Sequence, residues 1–407
     1  MGDFFQTGVV TTLHRLNRDP ESDELIEAEL VAISDHNRIG LVLPALYVEF
    51  QHPAMQRIVD ELRTVRFLQR IVVAIGGCTR DEYLHAASFF KDFPTPVTAL
   101  WMEHPRIEGL FSMLDDQGIG AGGPGKGRTC WFCYGYLLAR EDVDVIALHD
   151  CDIRNYEKGL LTRLCYPVAN PNLGFEFCKG FYARVSNTMH GRVTRLFFTP
   201  LVRALITLAP TTPFLRYLDS FRYALSGEFA MRADLARVNR IPSDWGLEVG
   251  VLAEVYRNCA LSRICQVDIA DNYEHKHQVL SEGDPSAGLR RMTLEIAKNL
   301  VRTLAAQGCV LGDAEFRTLM VHYQQLAQDS INKYYADAML NGLRFDRHAE
   351  ATAVSAFAES LREAASAYNE NPLALPIIPN WNRVLHAIPG FFDLILDVAE
   401  DMEMTSV

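Results

Sequence analysis

The chain has 407 residues, enough for one large domain or two ordinary ones, and 49% hydrophobic content can fill a sizeable core. Its net charge of −12 argues against a surface built for nucleic-acid phosphates or anionic lipid. The best apolar candidate for a membrane span, Leu196 to Leu208, is broken by Pro200 and Arg203, and no basic and apolar leader follows Met1-Gly2-Asp3. Nine cysteines fit reduced thiols better than a disulfide scaffold, so a soluble cytoplasmic protein is expected. Cys130 and Cys133 have metal-site spacing but no second pair to complete one.

In chain order, residues 1–38 read as a leading helical extension, acidic from Asp19 to Glu29. Ile39–Leu43 is the first expected strand, stopped by Pro44, and Met55 to Leu68 carries apolar residues at helical spacing. Ile71–Ile75 is a second strand ending in Gly76-Gly77, and a helix starts over Glu82 to Phe90. Val97–Trp101 and Val143–Leu148 are further strands. Alternating strands and helices predict a mostly parallel, Rossmann-like α/β sheet with ligand loops at its carboxyl edge. Ile264–Ile269 is strand-like, and from about Gln278 the pattern is helical: Ala287 to Ala306, Ala314 to Leu340, Ala349 to Tyr368, and Val384 to Met402. The expected division is therefore 1–38, a sheet-bearing unit over 39–280 in two halves, 39–155 and 156–280, and a helical region over 281–407 without visible chemistry.

His149-Asp150-Cys151-Asp152, directly after a buried strand, is the most informative stretch. Side chains one residue apart on extended backbone point the same way, so Asp150 and Asp152 can face one hard divalent cation and, through it, a diphosphate. The glycine-rich run Gly118 to Gly127 contains G-x-x-x-x-G-K, but Gly127 stands where a P-loop has Ser or Thr, and the preceding Ile107–Leu114 reads as helix. What remains is a loop presenting Lys126 at the start of a helix over Arg128 to Leu138, suited to an anion. After Leu43 come Pro44-Ala45-Leu46-Tyr47-Val48-Glu49, and after Ile75 come Gly76-Gly77-Cys78-Thr79; both turns can take a base and ribose through backbone groups. His190-Gly191-Arg192-Val193-Thr194 combines a small residue, an arginine and a hydroxyl, a composition suited to phosphate or carboxylate. Glu228 and Glu248 sit beside glycine turns, and His275 and His277 flank Lys276 as candidate extra metal ligands.

In this order the motifs resemble the retaining GT-A glycosyltransferases of the glucosyl-3-phosphoglycerate synthase family, most of all its longer bacterial members. The resemblance runs from about Gly40 to Gln278 and rests on Pro-Ala-Leu, Gly-Lys-Gly, Asp-x-Asp, Gly-Arg-Val-Thr, Ser-Gly-Glu, the Trp245 to Gly250 segment and a final histidine. It implies a GT-A fold and transfer of glucose from a nucleoside-diphosphate glucose to the 2-hydroxyl of 3-phosphoglycerate, with Mg2+ or Mn2+. By the same resemblance Pro44, Ala45, Leu46, Glu49, Gly77, Thr79, Lys126 and Asp150 to Asp152 serve the donor. Asp152 with His275 (His277 second) would hold the metal. Gly191, Arg192, Val193 and Thr194 would take the acceptor phosphate, while Leu225, Glu228 and Glu248 form the reaction centre. Tyr47-Val48-Glu49 and Gly76-Gly77-Cys78-Thr79 depart from the Asn-Glu-Glu and Asp-Ser-Gly-Ser-type turns of shorter members, which leaves UDP, GDP or ADP as base and glucose or mannose as sugar. Free glycerate is the alternative acceptor, and a homodimer is expected. Two competing readings are a non-catalytic nucleotide-sugar-binding protein and a nucleotidyltransferase; the latter would carry its glycine loop at the first strand, where Pro44-Ala45-Leu46 stands.

Overall fold

The computed structural model describes residues 5–6, 8–274, 280, 288–373 and 377–405. Eight strands form one sheet: β1 Thr11–Leu13, β2 Ile39–Leu46, β3 Leu68–Gly76, β4 Val97–Trp101, β5 Val145–Leu148, β6 Phe177–Tyr182, β7 Phe229–Arg232 and β8 Ile264–Ala270, in the order β1-β8-β6-β7-β5-β2-β3-β4. Every neighbouring pair is parallel except those made by β7, which runs against β5 and β6. Such reversal sets the amino end of β7 beside the carboxyl end of β5, with Phe229 opposite Leu148. The turn that precedes β7 therefore faces the segment that follows β5.

The central strands read as continuous apolar runs because helices cover both faces of the sheet. Leu41, Leu43, Val73 and Ala147 enter one core, and Val42, Val72, Ile146 and Leu148 the other. Pro44 does not stop β2, contrary to expectation. β5 pairs only with Ile39–Val42, so beyond that point β2 has a partner on one side alone, which is the position a proline tolerates in a sheet. The expected helix from Met55 ends at Leu62, not Leu68; Val65, Phe67 and Leu68 are apolar because they enter the core on the way into β3. The leading segment is not wholly helical either, since β1 precedes the helix Pro20–Ile33 and pairs with β8 as an edge strand. Neither β6 nor β7 is among the expected strands: Lys179 and Gly180 interrupt the first, and the second has four residues.

Helices Gly288–Ala306, Asp313–Leu340 and Arg347–Glu370 stand as expected. The last helical stretch splits into Trp381–Ala387 and Phe391–Thr405 around Pro389-Gly390, where Gly390 takes φ +81°. This region is built into the rest of the chain. Trp381 stacks on Trp131 at 3.9 Å, in a place open only because residue 135 is glycine, and Trp131 Nε1 donates to the Pro379 carbonyl at 2.9 Å. No helix among the described residues is long and apolar enough to cross a membrane.

Candidate active site

The site lies where β2, β3, β5 and β6 end and β7 begins. Lys126 opens the helix Lys126–Arg140 and crosses to the sheet, where its Nζ meets Asp150 Oδ1 at 2.7 Å and Glu248 Oε1 at 2.9 Å. Gly125 and Gly127 are glycine because their backbone lies against Ser243 and Pro242; a Cβ at either would overlap a carbonyl oxygen. The Gly-Lys-Gly motif thus docks a helix start against the 242–243 segment and thereby aims the lysine. Burial by itself would lower the Lys126 pKa, but Asp150 and Glu248 outweigh it and hold the ammonium well above its ordinary value.

Asp150 also packs on the Ser226-Gly227 turn, since a Cβ at Gly227 would overlap its carboxylate. Motifs far apart in sequence (Gly-Lys-Gly, Asp-x-Asp, Ser-Gly-Glu and the segment from Trp245) therefore meet at the Lys126–Asp150 pair, Gly227 against Asp150 and Glu248 against Lys126. Cys151 alternates away and is buried in the core, and its burial pushes the thiol pKa well up. His149, wholly buried, packs on Tyr156 and is held down to about 4 by desolvation. Asp152 is half-buried, while His275 and His277 lie outside the described residues. Among the described residues no group of three or more His, Cys, Asp or Glu is arranged to hold a metal.

Glu228 is wholly buried, and its carboxylate accepts from the Tyr182 hydroxyl at 2.6 Å and from the Tyr273 hydroxyl. Its pKa is raised, first by desolvation and then by nearby Asp150. Lys179, also buried, donates to the Ser226 carbonyl at 2.6 Å and so ties the 225–228 turn to β6; desolvation brings its pKa down to about 8. Leu225 is half-buried at the start of that turn. Tyr182 and Lys179 were not legible from sequence, because the strand that carries them was not; Tyr273, just past β8, was not foreseen either.

At the nucleoside end, Pro44, Ala45 and Leu46 form the last residues of β2, and Glu49 lies in the 3-10 turn Tyr47–Gln51. Gly77 takes φ +67° and its N–H donates to Glu103 Oε1 at 2.7 Å. Thr79 caps the helix Arg80–Ser88 in a reciprocal pair with Glu82. Its hydroxyl and its backbone N–H are both engaged with Glu82, and its carbonyl accepts from the Tyr83 N–H. Glu103, just past β4, was not foreseen.

Gly191 takes φ +73° and starts a turn into the irregular helix Val193–Phe198. Tyr223 joins this turn to the sheet edge: its hydroxyl accepts from Arg184 Nη1 at 2.8 Å, and its ring meets that of Tyr182, the partner of Glu228. Val193 is buried, whereas Arg192 reaches sideways to Glu350 of the helix Arg347–Glu370, Nε to Oε1 at 2.7 Å. The helical region, expected to carry no chemistry, thus touches a candidate acceptor residue.

Helices on both faces of a mostly parallel sheet, with an acidic pair and a lysine at its carboxyl edge, are the arrangement expected of a GT-A glycosyltransferase. No protein-family model matches the chain. It is 46% identical to the glucosyl-3-phosphoglycerate synthase of Persephonella marina over 401 residues, 98% of this chain and 99% of that protein. It is 38% identical to the enzyme of the same name from Methanococcoides burtonii over 95% of each chain. The fold matches solved glucosyl-3-phosphoglycerate synthase from Mycobacterium tuberculosis in complex with Mn2+, UDP-glucose and phosphoglyceric acid, at TM-score 0.53 and 23% identity over 73% of this chain and 88% of that one. The chain belongs to the glucosyl-3-phosphoglycerate synthase family, as the order of its motifs implies.

Proposed function

We propose that the chain is a hexosyltransferase that moves glucose from a nucleoside-diphosphate glucose, UDP-glucose first, to the 2-hydroxyl of 3-phosphoglycerate. The observation that carries the reading is identity along nearly the whole length to enzymes named for that product. Convergence of Lys126, Asp150, Gly227 and Glu248 at the carboxyl edge supports it. Residues 39–155 serve as the donor half and 156–280 as the acceptor half.

Pro44 to Leu46, Glu49, Gly77 and Thr79 form the nucleoside wall, with Asp150 toward the ribose. Lys126, kept charged by its partners, offers positive charge beside the donor's diphosphate. Asp152 and one of His275 and His277 supply hard oxygen and imidazole donors, a set that suits Mg2+ or Mn2+. When bound there, the ion neutralises charge on the departing diphosphate. Gly191, Arg192, Val193 and Thr194 receive the acceptor phosphate, with Val193 contributing backbone. Leu225 and Glu228 shape the sugar pocket, and Glu248 meets the sugar or the acceptor hydroxyl.

Retention of configuration follows the family, and attack on the face that the diphosphate leaves is the favoured route. Glu228 is buried and accepts from two phenols, and Glu248 is held by Lys126; both facts favour a route without a covalent carboxylate intermediate. The acceptor proton then passes to the departing phosphate oxygen, and fixed geometry provides much of the rate. The nine free cysteines suit a reducing compartment, and we place the enzyme in the cytoplasm as a homodimer. The test is release of nucleoside diphosphate from UDP-, GDP- and ADP-glucose and GDP-mannose, with Mg2+ and with 3-phosphoglycerate or glycerate. Acceptor-dependent release from a glucose donor with 3-phosphoglycerate supports the reading, and no release from any pairing overturns it.

A further inference from the structure

We propose that Glu350, on the helix Arg347–Glu370, is a positioning residue of the acceptor site, so that the helical region completes that site. The proposal rests on the reading of residues 191–194 as the phosphate-binding turn. One carboxylate, 5% exposed, bridges two arginines of this turn: Oε1 takes Arg192 Nε at 2.7 Å and Oε2 takes Arg195 Nη2 at 3.0 Å. Arg195 is anchored further by donating to the His190 and Met189 carbonyls, and its guanidinium lies over the Tyr334 ring at 4.9 Å. Arg192 differs. Its side chain is 35% exposed, and among the described residues its guanidinium is hydrogen-bonded through Nε alone. A guanidinium gripped at Nε still offers its outer Nη1–Nη2 edge, the fork that binds a phosphate or carboxylate with two parallel bonds. Glu350 therefore fixes the plane of Arg192 without consuming the edge that an oxyanion needs. Two cations against one carboxylate leave net positive charge, and Arg184 lies close to Gly191 to add to it.

The loop and the helical region are joined at two further places. The Arg344 N–H donates to the Asn187 carbonyl at 2.9 Å, and the Tyr323 hydroxyl donates to the Leu196 carbonyl at 3.0 Å. Phe197 packs against both Tyr323 and Phe357. The turn is thus framed by helices that the sheet alone would not supply.

The experiment is a double-mutant cycle read as KM and kcat for 3-phosphoglycerate, with the KM for UDP-glucose as internal control and circular dichroism as the check on folding. Glu350→Gln keeps the shape and removes the charge; KM for 3-phosphoglycerate should rise about tenfold, while kcat and the donor KM move less than about twofold. Arg192→Ala should raise the same KM at least as much, and the double variant should be no worse than Arg192→Ala alone. Arg192→Lys keeps a cation opposite Glu350 but has no outer fork, and should behave like Arg192→Ala. If Glu350→Gln fails to fold, Glu350→Asp, which keeps the charge but draws it back from Arg192 Nε, takes its place in the cycle with the same expected rise in KM. An unchanged acceptor KM in Arg192→Ala overturns the acceptor reading itself. A normal Arg192→Ala loss overturns the proposal alone when it is accompanied by an unchanged or lowered KM in Glu350→Gln, by multiplicative losses in the double variant, or by wild-type affinity in Arg192→Lys.

Discussion

Replacing Lys126 by Met removes the cation that Asp150 and Glu248 share and keeps most of the aliphatic stem. Both contacts are short, 2.7 and 2.9 Å, and the three side chains are 16%, 34% and 9% exposed in the order Lys126, Asp150, Glu248. Leaving a buried ion pair without one partner costs about 3–5 kcal/mol, and the exposure of Asp150 places this site at the lower end, about 3 kcal/mol. The deficit depends on pH. In the wild type the lysine pKa is raised, so its contribution is complete below 10.5 and is lost only as pH rises through the folded value; between pH 5 and 8 it is constant. In the variant, the stranded carboxylates relieve their charge by taking up a proton, so the deficit should shrink from pH 8 to pH 5. Urea unfolding of both proteins at both pH values measures it, and the difference between them cancels every group they have in common. A deficit below about 1 kcal/mol at pH 8, or one that does not change with pH, would refute the assignment of Lys126 as the shared counter-ion.

His149 has a folded pKa of about 4 against 6.5, so it contributes stability present above pH 6.5 and lost as pH falls toward 4, about 3 kcal/mol in all; His149→Gln should flatten that part of the acid limb in a pH series of urea melts. Gly135→Ala sets a methyl into the Trp381 ring and should expel it, which quenching of tryptophan fluorescence by acrylamide will report as a newly accessible indole. Asp152→Asn should cost at least about 100-fold in kcat at saturating Mg2+, seen as loss of diphosphate release; activity within about tenfold of wild type would exclude Asp152 as the chief metal carboxylate.

The carboxyl-edge logic was legible because apolar runs mark β2, β3, β4 and β5, and all but β4 are followed by a turn that the sequence marks as informative. Asp150, Lys126, Gly227 and Glu248 were each recognisable locally, and the fold brings them together. Their mutual contacts were not legible, since they depend on β7 running antiparallel between β5 and β6. That strand is too short, and β6 too interrupted by Lys179 and Gly180, to show a period. Tyr182 was missed for the same reason, whereas Tyr273 follows the expected β8 and nothing in its local sequence marks its contact with Glu228. Glu350 was invisible for a different one: a single carboxylate on an Ala-rich, acidic helix looks solvated, and only the fold turns it toward Arg192. Glycines were seen as ligand loops, yet Gly125 and Gly127 are there for close approach to Pro242 and Ser243.

The most direct measurement is the structure of the product. With UDP-glucose, 3-phosphoglycerate and Mg2+, proton and phosphorus NMR should show an α-linked glucose on the 2-hydroxyl of an intact phosphoglycerate, formed in step with UDP. A β-linked product, glucose released to water, or no consumption of 3-phosphoglycerate with any glucose nucleotide would contradict a retaining transferase whose acceptor is held at Arg192.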